Sequence, residues 1–265
     1  MTKVKLWISD IDGTLIDYDR SITPEMKNLI AKINDSENKL VLATGRMFMG
    51  AYFEAQKFNL KTPVVCYQGA VVRTKDKILW QAPIKTEIAL EIISYLESKN
   101  IHTHIYNDDE LYVIDDDKKI MHDYCYGRGT TYEVIDNFNK LKLHDVPKIL
   151  GVIQNDNLMK EVKAELSEKY KNILTIVQSS PIYLEITDIN ASKGKALDFL
   201  KEYWNLKDEE VIASGDQDND IDLLLHAGLK VCVGNNSKKL KEISQYHCSS
   251  VKSNELVNLI ESLML

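Results

Sequence analysis

The segment Leu6-Trp7-Ile8-Ser9-Asp10-Ile11-Asp12-Gly13-Thr14 is an apolar run that stops abruptly at two carboxylates, a glycine and a threonine. Alternate side chains of a strand share a face, so Asp10 and Asp12 leave it on one side while Ile11 points to the core. Gly13 permits a sharp exit from the strand. Acids at the carboxyl end of an apolar strand lie where open α/β sheets bind ligands. Two such acids repel each other, and a cation, a proton or a chemical task has to offset the cost. Taken alone, the pair reads as a solvated Asp-Gly turn. Three later stretches supply it with partners.

Working outward, Thr23-Pro24 joins an N-cap to a proline at the first helical position. Met26, Leu29, Ile30 and Ile33 follow at helical spacing, which predicts a helix over 24–34. Residues 39–43 read as a buried strand that ends in Thr44-Gly45-Arg46, with a helix over 47–58 behind it. A strand over 63–67 follows, then a turn at Gln68-Gly69-Ala70 and a hairpin of Val71-Val72 with Ile78 to Trp80. This order of strands and helices is that of a parallel α/β sheet. It returns after Asp188. A helix over 195–203 should turn Ala196, Phe199, Leu200 and Tyr203 inward, and a strand over 211–214 ends in Gly215-Asp216. A helix over 220–226, a strand over 230–233 and a last helix over 255–263 complete the pattern, the last with Leu256, Leu259, Ile260 and Leu263 inward.

The middle of the chain changes character. A helix over 86–97 precedes strands over 101–106 and 111–114. A helical patch near 120–126 and a strand over 148–154 follow. A second helix over 157–170 precedes strands over 174–178 and 182–186. Two helix-plus-hairpin units of this kind form an α+β insert. The expected organisation is one α/β core from 1–81 and 189–265, with a second domain at 82–188. His102 and His104 share a strand face, but no third metal ligand accompanies them, so they read as ordinary strand residues.

The chain has 265 residues, a net charge of −7 and an apolar fraction of 44%, which is that of a globular protein with an ample core. The acidic excess is confined to the insert. Between Ala82 and Asp188 there are 12 Lys or Arg against 19 Asp or Glu, and the remainder holds 21 of each. No basic stripe suits a nucleic acid, and no segment reads as a signal peptide or a membrane span. Cys66, Cys125, Cys232 and Cys248 are scattered without a C-x-x-C, as expected of free thiols in a reducing compartment. A cytoplasmic protein is expected, as a monomer or weak homodimer, with a small molecule as its partner.

Three further polar clusters fall at strand or helix ends. Thr44-Gly45 offers a hydroxyl and free N–H groups at a helix start, which suits a phosphate oxygen. Ser192-Lys193-Gly194 opens a helix with one lysine. Gly215-Asp216-Gln217-Asp218-Asn219-Asp220 packs three carboxylates and two amides into a strand-to-helix turn. Singly these are a cap, a surface lysine and an acidic loop. Gathered on one sheet, they make a hard-cation site beside an anion site, and oxygen ligands with waters are what Mg²⁺ takes.

Together, Asp10-Ile11-Asp12-Gly13-Thr14, Thr44-Gly45-Arg46, Ser192-Lys193-Gly194 and Gly215-Asp216-x-x-Asn219-Asp220 resemble, in order and spacing, the four motifs of the haloacid dehalogenase superfamily of phosphatases. The insert resembles the C2B cap of its Cof-type branch. Val231-Cys232-Val233-Gly234-Asn235 is similar to the family's later glycine-asparagine turn. Gln68-Gly69-Ala70 departs from the family's Asn-Gly-Ala, Leu223 from a common methionine, and Asn254-Glu255-Leu256-Val257 from an Asp-Gly-Val.

The resemblance implies a HAD-like Rossmannoid parallel sheet and an Mg²⁺-dependent phosphatase of small phosphorylated metabolites, sugar phosphates in particular. It implies that Asp10 attacks phosphorus to form an aspartyl-phosphate, and that Asp12 acts as general acid and then base. Metal ligands would be Asp10, the Asp12 carbonyl and Asp216. Thr44, Gly45, Lys193 and Asn219 would bind the phosphoryl oxygens. Asp220 would orient Lys193 or a metal-bound water, and Arg46 would reach the cap or substrate or form a helix-surface ion pair. A phosphomutase or phosphotransferase would share the intermediate but needs a second phosphate site. A non-catalytic phosphate-responsive switch, as in receiver domains, would lack an acid two residues after the nucleophile.

Overall fold

The structure is a computed structural model and describes residues 3–126 and 129–265. Its elements run β1 (Leu6–Ser9), α1 (Pro24–Asn34), β2 (Lys39–Leu42), α2 (Phe48–Lys57), β3 (Val64–Cys66), β4 (Val71–Arg73) and β5 (Ile78–Gln81). Then come α3 (Thr86–Ser98), β6 (His102–Asn107), β7 (Glu110–Val113), α4 (Lys118–Cys125), β8 (Glu133–Val134), β9 (Ile149–Val152), α5 (Asp156–Lys169), β10 (Leu174–Gln178) and β11 (Tyr183–Asp188). The last are α6 (Lys193–Trp204), β12 (Val211–Gly215), α7 (Ile221–Leu225), β13 (Leu229–Val233), α8 (Lys238–Ile243), β14 (Tyr246–Cys248) and α9 (Glu255–Met264). None of the described helices is long and apolar enough to cross a membrane. The chain forms two compact units, one of Met1–Arg46, Ala51–Trp80 and Ser192–Leu265, the other of Met47–Gly50 and Gln81–Ala191.

The first unit is built on a parallel sheet in the order β14-β13-β12-β1-β2. All four residues of β1 are buried, as expected of a parallel strand covered on both faces. Leu6 and Ile8 share a core with Val41, Val211, Ala213 and the α6 and α7 residues Ala196, Leu197, Leu200, Leu223 and Leu224. Three details differ from the sequence reading. β3 does not extend the parallel sheet. It pairs antiparallel with β4 in a separate three-stranded sheet, and a parallel bridge between Ala43, just beyond β2, and Val65 links it to the first sheet. The α6 helix starts at Lys193, which turns Lys193, Ala196, Leu197 and Leu200 inward and leaves Tyr203 55% exposed. Its outer flank is aromatic, with Phe199 stacked against Trp80 and Tyr203. In α9 the buried residues are Leu256, Val257, Ile260 and Met264, so Leu259 and Leu263 lie off the inner face.

The second unit has a six-stranded sheet in the order β10-β11-β9-β6-β7-β8, antiparallel except at β7–β8. On one face Ile105, Ile149, Leu184 and Ile186 pack with Ala89, Ile92 and Leu96 of α3 and Met159, Val162 and Leu166 of α5. Strand alternation sends His102, His104 and Tyr106 to the other face, where Tyr124 of α4 lies edge-on to His104 at 4.6 Å between ring centroids. His104 is fully buried, and neither of its ring nitrogens has a hydrogen-bond partner. Burial holds that imidazole well below its usual pKa, hence neutral. Among the described residues the histidines belong to no group of three or more that could hold a metal.

Candidate active site

Parallel pairing brings three strand ends to one edge. Ser9 lies opposite Leu42 of β2 and Ser214 of β12, so Asp10, Thr44 and Asp216 leave the sheet together. A buried polar chain fixes the first of them. Trp7 Nε1 donates to Ser214 Oγ at 2.9 Å, Ser214 Oγ to Ser9 Oγ at 2.7 Å, and Ser9 Oγ to the Asp10 carbonyl at 2.8 Å. The Asp10 N–H donates to the Ser214 carbonyl at 3.0 Å. Every link of this chain is satisfied, which makes such a network rigid.

Lys193 Nζ donates to Asp10 Oδ1 and to Asp220 Oδ1, both at 2.6 Å, and all three side chains are buried. The lysine stands at the first position of α6, capped by Ser192 Oγ, which accepts from the Lys195 N–H. Gly69 lets the preceding turn reach that helix start. It has φ +92°, and a Cβ there would lie 2.1 Å from the Ser192 carbonyl carbon. The other Asp220 oxygen accepts from the N–H groups of Asp216 and Gln217, at 3.1 and 3.2 Å.

Asp216 is fully buried. Its Oδ1 accepts from Thr14 Oγ1 at 3.1 Å, and its Oδ2 from Tyr18 Oη at 2.5 Å and Asn236 Nδ2 at 3.1 Å. One oxygen from each of Asp10, Asp216 and Asp220 lies within 4.8 Å of the others. Three buried carboxylates therefore gather at one point, and the buried ammonium of Lys193 is bound to two of them. Burial pushes the Asp10 carboxyl up to about 8, against the pull of Lys193 and with the help of Asp220 and Asp216. Burial likewise raises Asp216. The donor set is all oxygen and the charge imbalance calls for a cation, so the residues fit a hard divalent ion. Asp220 joins the group by distance, but both of its oxygens are already engaged, which suits its expected place behind Lys193.

Arg46 is buried and turned to Asp12. Its Nε donates to Oδ2 at 2.8 Å and Nη2 to Oδ1 at 2.5 Å, while Nη1 donates to Glu54 Oε1 at 3.0 Å. Burial opposes the charge on Arg46, but the two carboxylates outweigh it and raise the guanidinium pKa. The ion pair expected on a helix surface thus lies inside the protein and includes Asp12. Thr44 is buried, and its Oγ1 accepts from the Arg46 N–H at 3.2 Å. Gly45 and Asn219 are linked through Gln68. A Cβ on Gly45 would lie 2.3 Å from Gln68 Nε2, and Asn219 Nδ2 donates to Gln68 Oε1 at 3.4 Å. Sequence reasoning missed Tyr18, Glu54 and Asn236 as parts of the cluster. Gln68 stood out only as a departure from a motif.

The profile of one family, haloacid dehalogenase-like hydrolase, matches residues 7–260. A Bacillus subtilis protein named 5-amino-6-(5-phospho-D-ribitylamino)uracil phosphatase YitU is 25% identical over 252 residues, covering 92% of this chain and 91% of its own. The crystal structure of TM0651 from Thermotoga maritima is 31% identical with a TM-score of 0.88, covering 99% of this chain and 98% of its own. The fold is also that of the sugar phosphatase BT4131 of HAD subclass IIB, which is 19% identical with a TM-score of 0.83 and 98% coverage of both chains. A profile match that runs almost from end to end fixes the family: the chain belongs to the haloacid dehalogenase-like hydrolases and is a phosphoric monoester hydrolase.

Proposed function

We propose that the protein is an Mg²⁺-dependent phosphatase of small phosphorylated metabolites, sugar phosphates foremost, and that it works through an aspartyl-phosphate on Asp10. In the first step an Asp10 oxygen attacks phosphorus, the bond to the leaving oxygen breaks, and that oxygen takes a proton from Asp12. In the second, water attacks the same phosphorus and gives its proton to Asp12, and the Asp10–phosphorus bond breaks. Lys193, Thr44, the Gly45 N–H and Asn219 hold the phosphoryl oxygens as charge develops on them. Asp220 orients Lys193. Asp10, Asp216 and the Asp12 carbonyl would hold Mg²⁺, whose charge offsets that of the carboxylates and the phosphoryl group. The observation that carries this reading is the cluster of three buried carboxylates, two of them bound to the buried ammonium of Lys193, with Asp12 two residues beyond Asp10.

Residues 82–188 serve in this reading as the substrate-selecting cap. Their acidic excess disfavours leaving groups with further phosphates or carboxylates. Neutral polyols carry no charge for such a cap to repel, and the ribityl chain in the name of YitU is a polyol of that kind. Four scattered cysteines, three of them buried, favour a reducing, cytoplasmic setting.

The test is a phosphate-release screen over sugar phosphates, polyol phosphates, cofactor phosphates and nucleotides, with and without Mg²⁺. Release from neutral sugar or polyol monoesters that stops on chelation is expected. Equal release without divalent metal, or nucleoside triphosphates as the best substrates, would overturn the reading.

A further inference from the structure

Asp216 is held differently from its two carboxylate neighbours. Asp10 and Asp220 share the charge of Lys193, whereas the donors to Asp216 among the described residues are three neutral groups, Thr14 Oγ1, Tyr18 Oη and Asn236 Nδ2. Neutral donors fix the plane of a carboxylate without cancelling its charge. A carboxylate has about four acceptor positions, so three filled positions leave one in a defined direction.

Tyr18 is itself aimed. Gln217 Nε2 donates to Tyr18 Oη at 2.9 Å, so the phenol proton is directed to Asp216 Oδ2, 2.5 Å away. The residue is 57% exposed and contributes little to the core, yet its hydroxyl reaches a fully buried carboxylate. Lys252 ties down the loop on both sides of it, 2.7 Å from Asp17 Oδ2 and 2.7 Å from Asp19 Oδ2. Gly13 leaves the room, because a Cβ there would lie 2.7 Å from Tyr18 Oη and 2.4 Å from Asp216 Oδ2.

We propose that Tyr18, together with Asn236, is a positioning residue that sets the affinity of Asp216 for the divalent metal and takes no part in phosphoryl transfer. The proposal rests on the metal site of the proposed function. Mg²⁺ takes few protein ligands and demands near-octahedral geometry, so the direction of each carboxylate weighs heavily. Partners that orient a ligand carboxylate from outside the coordination sphere are typically worth about 10- to 100-fold in metal affinity.

The experiment uses the full-length protein, Tyr18→Phe and Asn236→Ala. Mg²⁺ binding is titrated calorimetrically without substrate, and Mn²⁺ binding is followed by electron paramagnetic resonance. Each variant should weaken metal binding by about tenfold or more, and the Mg²⁺ needed for half-maximal activity should rise in step. At saturating Mg²⁺, kcat and KM for Tyr18→Phe should stay within about twofold of the parent. A merely structural loss would instead lower kcat at every metal concentration and lower the melting temperature of the metal-free protein. Unchanged metal affinity in Tyr18→Phe overturns the proposal. Tighter binding does so too, since it would make the hydroxyl a competitor of the metal for Oδ2. Failure of the parent protein itself to bind Mg²⁺ or Mn²⁺ would remove the metal site of the proposed function, and this proposal with it.

Discussion

Asp10 and Asp12 are two residues apart and are held by opposite means. Asp10 shares a lysine with Asp220 in a buried, carboxylate-rich centre, while Asp12, about a third exposed, accepts from Nε and Nη2 of the Arg46 guanidinium. Two identical side chains thus have different environments, and the proposed reaction gives them separate tasks. Asp10→Asn should lower turnover by at least about 10³-fold, the scale of losing a nucleophile, with an unchanged circular dichroism spectrum. Substantial phosphate release by the pure variant would count against Asp10 as the attacking group. Asp12→Asn should slow the first step by about 10²–10⁴-fold for alkyl phosphates and far less for activated aryl phosphates, whose leaving oxygen needs no proton. Burst kinetics measure that step, and equal losses for both esters would contradict the acid role. At this scale the sequence displays residues whose type and spacing are tied to the chemistry, such as Asp10, Asp12 and Lys193. It hides Tyr18 and Asn236, which lie 198 and 20 residues from the Asp216 they touch.

At the scale of elements, the strands that end in polar residues were readable because an apolar run broken by Asp-x-Asp-Gly or Gly-Asp has few other meanings. Periodicity places the start of α6 two residues late because Ser192 caps it and Lys193 faces inward, and a buried lysine has the same place in the pattern as a surface one. β3 is apolar enough for a parallel strand, but its pairing depends on the hairpin that follows. β14 and α8 are short and largely polar, and neither carries a periodic signal. Two substitutions probe how elements hold the site. Gly69→Ala puts a methyl group into the start of α6 at a positive φ, and it should cost about 1–3 kcal/mol and displace Lys193. Loss of about 10² in kcat, beyond what the fall in urea midpoint explains, is the expected kinetic sign. Arg46→Met breaks a pair whose side chains are 6% and 2% exposed at Arg46 and Glu54. The cost should be about 3 kcal/mol, the low end for a broken buried pair because Lys57 still meets Glu54. Urea unfolding of Arg46→Met, Glu54→Gln and the double variant would show this as a double loss smaller than the sum of the single ones.

Across the whole molecule, the acidic insert and the near-neutral remainder could be told apart from charge alone, whereas the way β9 joins the two hairpins of the second sheet could not, because pairing order leaves no local trace. The carboxylate centre couples stability to pH and metal. Burial raises Asp10 from 3.8 to about 8 in the metal-free protein, so its contribution to stability is complete below pH 4 and is lost as pH rises through 8. Added Mg²⁺ should therefore raise Tm more at pH 8 than at pH 5, and its binding near pH 7 should release protons measurable by calorimetry in buffers of different ionisation enthalpy. A Tm increment that does not depend on pH would mean that the carboxylates are ionised before the metal arrives. Everything proposed about the reaction turns on a phosphoryl group carried by one side chain. Rapid acid quench of turning-over enzyme, followed by peptide mass mapping, looks for that group. The account predicts a phosphorylated peptide containing Asp10, absent from Asp10→Asn; a phosphoryl group on any other residue, or a burst of released alcohol with no phosphorylated peptide, would contradict it.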